Sequence, residues 1–173
     1  MSPVRSSEPP ADALTLPYRA AGEYVDCYVT ELARAVSFSQ FVSAFYTTPL
    51  FRLERWILRR LVAKPSTDEE SRDLADGKRN SFAAWRVEAR APNQLLLRDF
   101  TGRTYSWLMV AAATEPSRTR LYFGSVVTRV RDARTGRIGL GPVHGRLLGF
   151  HKLYSRLLLG TAASRLARER RNE

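Results

Sequence analysis

The chain has 173 residues, 44% of them hydrophobic and 26% charged, a balance that fits one globular domain with enough core to fold unaided. Cys27 is the only cysteine, which excludes an internal disulfide and gives no indication of export, so we expect a cytoplasmic protein. The formal net charge of +11 is concentrated in segments 49–64 and 146–173, which makes anionic partners worth testing.

The N-terminal part of the chain predicts a flexible lead-in followed by a strand. Residues 1–22 are rich in proline, serine and alanine and contain no continuous apolar run. We therefore expect them to be flexible and the folded domain to span residues 23–170. From Glu23 to Leu32 the side chains alternate between apolar and polar, which is typical of a half-buried strand.

Three helix starts follow this strand. Ser37 is a candidate N-cap for a helix that begins at Phe38. Pro49 stands where a second helix would begin, because proline is favoured in the first turn. The run Ser66-Thr67-Asp68-Glu69 has the pattern of a capping box, and we expect it to open a short acidic helix that ends at Gly77.

The rest of the sheet is predicted from alternation and from one tight turn. Residues 79–91 indicate a single strand with Trp85, Val87 and Ala89 on one side. Two runs of apolar and β-branched residues then meet at Thr101-Gly102, where glycine accepts the positive φ that a tight hairpin requires. The next strand extends from Arg120 to Val130 and completes a set of sequential antiparallel strands.

The hairpin fixes the register of the central strands if its loop has two residues. Counting outward from the loop, and allowing four residues in the next turn, gives each residue a partner on the neighbouring strand. The predicted pairs are Phe100 with Arg103, Arg98 with Tyr105, Leu96 with Trp107, Met109 with Tyr122, Trp107 with Gly124, and Tyr105 with Val126. Glycine opposite tryptophan leaves room for the indole to lie on the neighbouring strand.

A long helical pattern from Val143 to Arg168 ends the chain, with a shared face formed by Leu147, Phe150, Tyr154, Leu157, Leu158 and Thr161. The predicted class is therefore α+β, with a curved antiparallel sheet wrapped around this helix and two short helices after the first strand.

This order of elements, together with the segment Val143 to Tyr154, resembles the START-like (SRPBCC) superfamily, whose helix-grip fold is shared by polyketide cyclases, plant allergen-type binding proteins and lipid-transfer domains. The resemblance covers roughly Tyr24 to Arg168. The segment Gly102-Arg103-Thr104-Tyr105-Ser106-Trp107-Leu108 is also similar to an uncharacterised bacterial family related to that superfamily.

The resemblance implies a cavity between the sheet and the last helix that holds a hydrophobic or aromatic small molecule, for transport or sequestration. In the predicted register its wall would consist of Leu96, Arg98, Tyr105, Trp107, Met109 and Tyr122, with His151 and Tyr154 from the helix. Packing of these aromatic residues in the core is the alternative. Arg98 could either stack on Tyr105 at an exposed edge or anchor an acidic ligand.

Both faces of the predicted sheet are apolar, so two arrangements remain open. In the first, the face with Leu95, Leu97, Leu108 and Val110 packs on the helix and the aromatic face forms a homodimer interface. In the second, the aromatic face packs on the helix and the leucine-rich face forms the interface.

The sequence has no catalytic signature. His151 beside Tyr154 could act as an acid or base in a cyclase or dehydratase, although a lone histidine on a helix is more often structural. His144 and His151 are about 10 Å apart along the predicted helix, too far to share one metal ion. We therefore expect no metal site, no catalytic residue and no cofactor.

A basic amphipathic helix supports a different class of function. Arg52, Arg55, Trp56, Arg59 and Arg60 would form a surface within residues 49–64 that could lie on an anionic membrane or contact another protein. We do not expect a nucleic acid partner, because no recognised nucleic-acid-binding motif occurs.

Overall fold

A computed structural model describes residues 1–52, 67–113, 115, 117–131, 138–139 and 141–169 of the chain. The described strands are β1 (Arg5–Ser6), β2 (Tyr24–Leu32), β3 (Ser81–Phe82), β4 (Trp85–Ala91), β5 (Gln94–Asp99), β6 (Thr104–Ala112), β7 (Thr119–Val127), β8 (Val130–Arg131) and β9 (Ile138–Gly139). The helices are α1 (Leu16–Ala20), α2 (Phe38–Tyr46), α3 (Asp68–Ala75) and α4 (Gly141–Glu169), and residues 49–52 are also helical.

Seven of these strands form a curved antiparallel sheet in the order β1-β2-β7-β6-β5-β4-β3, and β8 pairs with β9. Helix α4 packs against β2, β7 and α2. The predicted α+β class, with a curved antiparallel sheet and a long C-terminal helix, is confirmed.

The helix starts lie where the sequence predicts them. Ser37 caps α2: its side chain accepts a hydrogen bond from the Gln40 amide, and the Gln40 side chain accepts one from the Ser37 amide. Thr67 and Glu70 form the same reciprocal pair at α3. Each capping box satisfies two amide groups that a helix start would otherwise leave unpaired.

The register of the central strands is also as predicted, and five of the six predicted cross-strand pairs are present, whereas Phe100 and Arg103 lie in the loop. A Cβ atom at Gly124 would collide with the Asp26 carbonyl oxygen and lie 3.0 Å from Trp107 Cε3. The glycine is therefore required by the close approach of β2 and of the indole.

The turn between β5 and β6 is longer than predicted. Its loop comprises residues 100–103, and the Gly102 amide donates to the Asp99 carbonyl at 3.0 Å. The Asp99 carboxylate accepts a hydrogen bond from the Arg103 amide at 2.9 Å and a second from the Thr101 hydroxyl at 2.7 Å. The loop is longer than predicted by one residue at each end, so the register of the two strands is unchanged. Gly102 has the expected positive φ of 72°.

The single strand predicted over residues 79–91 is wrong in two respects. A tight turn at Ala83 and Ala84 divides it into β3 and β4. A bulge between Val87 and Ala89 then moves Ala89 to the opposite face from Trp85 and Val87. A bulge adds one residue to one strand, which reverses the alternation beyond it.

The N-terminal residues 1–22 are part of the domain, which corrects the prediction of a separate lead-in. Strand β1 pairs with β2, and the Ser2 amide donates to the Glu31 carbonyl at 2.9 Å. Leu14, Leu16 and Tyr18 pack on the sheet. The segment takes this position because its scattered apolar side chains cover a sheet face that would otherwise be exposed.

The sheet separates two hydrophobic cores. The first core lies between the sheet and α2, α3 and α4, and its sheet residues are Tyr28, Leu32, Leu95, Leu97, Leu108, Leu121 and Phe123. The second core lies on the other face, where the N-terminal segment covers Cys27, Val29, Leu96, Tyr105, Trp107, Met109, Tyr122 and Val126. Of the two arrangements left open by the sequence, the leucine-rich face therefore packs on α4.

Helix α4 buries only part of the predicted stripe, of which the side chains of Leu147 and Phe150 lie outside the described residues. Among its described side chains the buried residues are Ser155, Leu158, Leu159, Ala162, Ala163 and Leu166. Leu157 is 49% exposed and Thr161 is also exposed, whereas Tyr154 is half-buried against the first core. The buried face of α4 is rotated about the helix axis towards Ser155, Ala162 and Ala163. Their small side chains allow α4 to lie close to the sheet and to α2.

Candidate functional site

The six predicted wall residues of the sheet lie together on one face. Leu96, Tyr105, Trp107, Met109 and Tyr122 all belong to the second core, and Trp107 is fully buried. Arg98 lies at the exposed edge of this face, where its guanidinium is 3.3 Å from the Glu88 carboxylate.

Gln94 closes this face against the N-terminal segment. Its side-chain oxygen accepts hydrogen bonds from the Trp107 indole at 2.9 Å and from the Leu14 amide at 3.0 Å. Its side-chain nitrogen donates to the Asp12 carbonyl at 2.9 Å. The aromatic side chains are thus packed under the chain's own N-terminal segment, as the core-packing alternative predicts.

His151 and Tyr154 lie on the other side of the sheet, so the predicted eight-residue wall does not exist as one surface. Both residues are on α4, and α4 packs on the leucine-rich face. The sequence predicts that the aromatic face and the helix line one cavity, because nothing in the sequence indicates that the N-terminal segment covers that face.

His151 instead faces a carboxylate of β2. The Asp26 side chain is only 8% exposed, and its Oδ2 lies 3.5 Å from His151 Nε2. Its Oδ1 accepts a hydrogen bond from the Ser125 amide at 2.7 Å. Among the described residues neither Oδ2 nor Nε2 has a hydrogen bond of standard geometry, although the hydroxyl groups of Tyr24 and Tyr28 interact with the Asp26 carboxyl.

Two tyrosines and an arginine surround this carboxylate. Tyr24 and Tyr28 flank Asp26 on the same face of β2, because residues two apart on a strand point the same way. The guanidinium of Arg156 lies over the Tyr28 ring, 5.6 Å from its centroid. We refer to Tyr24, Asp26, Tyr28, His151 and Arg156 as the Asp26 site.

Burial dominates the proton equilibria of the site. It raises the pKa of the Asp26 carboxyl, while His151 and the Ser125 amide act in the opposite direction. Burial, followed by the nearby Asp26 charge, raises the pKa of Tyr28 to about 12 and also raises the pKa of Tyr24. Both phenols therefore remain protonated at neutral pH and can donate hydrogen bonds.

A cleft of about 340 Å³ gives access to the β2 side of the site. Tyr24, Asp26 and Tyr28 line it, and so do Arg19, Lys152 and Arg156. Of these cations, Arg19 forms an ion pair with Glu8, which also lines the cleft. The cleft thus combines two phenol groups, a buried carboxyl and a basic rim.

Asp26 was missed at the level of the sequence, although a signal was present. The alternation of β2 places Asp26 on the same side as Tyr24 and Tyr28, and an acidic residue at such a position is unusual. No sequence pattern connects it to His151, because the two residues are brought together only by the packing of α4 on β2.

The predicted basic surface is only partly described. The Arg52 side chain forms an ion pair with Asp68, which reduces its availability for an anionic surface. Arg55, Trp56, Arg59 and Arg60 lie outside the described residues, so contact with a membrane or a partner through residues 49–64 stays a prediction.

A membrane-spanning helix and a metal-binding cluster are both absent from the described part of the chain. None of the helices there has both the length and the apolar character needed to cross a lipid bilayer. The same residues include no group of three or more histidine, cysteine or acidic side chains placed to hold a metal ion.

No protein-family model matches the chain, and no curated protein matches it. The assignment of a function therefore rests on the geometry of the Asp26 site.

Proposed function

We propose that this protein is a helix-grip-like binding protein that holds a hydrophobic or aromatic small molecule between β2 and α4. The observation that carries the proposal is the buried Asp26 carboxyl, which faces His151 between two phenols. Burying a carboxyl costs stability unless it is fully paired, and such groups are concentrated at functional sites. The site belongs to the space between sheet and C-terminal helix, where the superfamily resemblance implies a ligand.

The chemistry of the site indicates how a ligand would be held. The rings of Tyr24 and Tyr28 offer apolar surface beside the cleft, and their hydroxyl groups remain donors at neutral pH. Asp26 Oδ2 can accept a hydrogen bond from a hydroxyl group of the ligand. A flat molecule with one hydroxyl group, such as a phenol, fits this combination.

Binding is tested with 2-naphthol, measured by calorimetry on the full chain. Removing the acceptor by Asp26→Leu should weaken the affinity about tenfold, since a hydrogen bond to a charged group contributes about 1.5–3 kcal/mol. The matched control is Tyr122→Phe, which removes a phenol from the second core and should leave the affinity unchanged. Equal affinities for the wild type and both variants would show that the site does not bind such ligands.

Acid–base catalysis of the cyclase or dehydratase type is a second candidate, favoured by the contact between Asp26 and His151. A carboxylate beside an imidazole orients it as a general base, and a protonated phenol can donate to a developing oxyanion. Compounds extracted from purified protein and identified by mass spectrometry would be incubated again with wild type and His151→Gln. Turnover that His151→Gln abolishes without loss of binding indicates an enzyme, and binding without turnover indicates a carrier.

A further inference from the structure

A second concave surface, which we name the hairpin groove, lies at one end of the sheet. It has a volume of about 600 Å³ and is lined by residues 83–86 of the β3–β4 turn, residues 98–102 of the β5–β6 turn, and Ser81. None of these residues belongs to the Asp26 site, so binding in the hairpin groove is independent of the proposed function.

Two guanidinium groups line the groove. Arg86 and Arg98 line it and face each other directly on β4 and β5. Like charges directly opposite one another destabilise a sheet. Glu88 offsets Arg98, whereas Arg86 has no ion pair among the residues that the structure describes.

The one carboxylate in the groove is already committed to the backbone of its own turn. Asp99 accepts hydrogen bonds from the Arg103 amide and the Thr101 hydroxyl. Among the described residues it forms no ion pair with Arg86 or Arg98.

Aromatic surface completes the groove. Phe100 is 61% exposed at the tip of the hairpin. Trp85 is half-buried, and its indole nitrogen is a buried donor without an acceptor in the described chain. The Trp85 ring also packs against the first core.

Backbone strain is located at the same place. Ala83 has a φ of 51°, a left-handed conformation that an alanine adopts only when its surroundings impose it. Non-glycine residues held in such conformations are often found at ligand sites.

From these features together we infer that the hairpin groove is a second binding site, for a planar aromatic molecule that carries an anionic group. The paired guanidiniums of Arg86 and Arg98 bind the anion, and the exposed ring of Phe100 stacks on the aromatic part. Arginine suits this role because its planar fork matches the two oxygens of a carboxylate.

The test uses full-length protein with ¹⁵N-labelled tryptophan and 2-naphthoate as the probe. The indole signal of Trp85, assigned with Trp85→Phe, should shift on titration. Arg86→Gln should raise the dissociation constant about tenfold, because a charge-assisted hydrogen bond is lost. Phe100→Ser should also weaken binding, and it is expected to fold normally because the ring is exposed.

Two matched controls separate this site from non-specific attraction to a basic protein. The neutral analogue 2-naphthamide should bind weakly and be insensitive to Arg86→Gln. Arg168→Gln removes an exposed arginine that does not line the groove and should leave 2-naphthoate binding unchanged. The inference is overturned if both arginine variants weaken binding equally, if the amide binds as tightly as the acid, or if the Trp85 signal does not move.

Discussion

Gln94 and Asp26, buried on opposite faces of the sheet, differ in how completely their side chains are paired. On the second core Gln94 is 2% exposed, and its side chain satisfies three partners at once. On the first core, beneath α4, the Asp26 Oδ2, the His151 Nε2 and the Ser155 hydroxyl have no standard hydrogen bond among the described residues. Fully paired polar groups stabilise a fold, whereas unpaired ones cost stability and persist where a function uses them.

The largest expected effect is on the close approach at Gly124. Gly124→Ala should lower the free energy of unfolding by about 3 kcal/mol, because the added methyl group overpacks a tight contact with the Asp26 backbone and the Trp107 ring. Urea unfolding measures the change. Gly160→Ala is the matched control, since its Cβ would be 3.7 Å from Val4 Cγ2, an ordinary contact. A similar loss in both variants would contradict the close packing.

Gln94→Met should have the next largest effect, a loss of about 2 kcal/mol, because it keeps the volume of the side chain but removes its three hydrogen bonds. The Trp107 indole would be left as a buried donor without a partner. Amide exchange at Leu14 should become faster as the N-terminal segment loosens. Unchanged stability and unchanged exchange would mean that apolar contacts alone hold this segment.

The sequence was sufficient for the register of β5, β6 and β7. A glycine-containing turn and strict alternation restrict neighbouring strands to one pairing, because a slip by one residue would move every apolar side chain to the wrong face. The turn after Asp99 is longer than predicted, but the pairing of β5 and β6 is the same because the loop has one extra residue on each side.

The covering of each face could not be predicted in the same way. Residues 1–22 contain only a few separated apolar residues, such as Leu14, Leu16 and Tyr18, and composition alone gave them no role. The bulge near Glu88 also leaves no mark in the sequence, although it moves Ala89 to the opposite face. Both features arise from tertiary packing, which decides which local pattern prevails.

The candidate site illustrates the same limit. His151 was recognised as a candidate, yet its partner Asp26 is distant in the chain and was overlooked. The aromatic residues that seemed to form the cavity were predicted in the correct register but are packed beneath residues of the N-terminal segment. Periodicity predicts which side chains share a face, but it does not show what covers that face.

The smallest of the three expected changes in the free energy of unfolding concerns Asp26, and it is an increase where the other two are decreases. Asp26→Asn should raise the free energy of unfolding at pH 7 by about 1 kcal/mol, because it removes a buried ionisable group and keeps an oxygen for the Ser125 amide. Burial raises the pKa of the Asp26 carboxyl in the folded state above its ordinary value near 4.

The sign of the pH dependence follows from that shift. The folded state binds the Asp26 proton more tightly than the unfolded state, so this carboxyl lowers stability as the pH rises from about 4 through the raised pKa. His151, Tyr24, Tyr28 and Ser125 face the carboxyl in both proteins, so the difference between wild type and Asp26→Asn isolates its charge. Unfolding measured from pH 3.5 to pH 8 should show the two proteins equal in stability at the acid end and the variant more stable at the other. A variant that is less stable than wild type at pH 8 would mean that the contact of Asp26 with His151 outweighs the cost of burying the carboxyl. Asp26 would then stabilise its face of the sheet, as Gln94 stabilises the other.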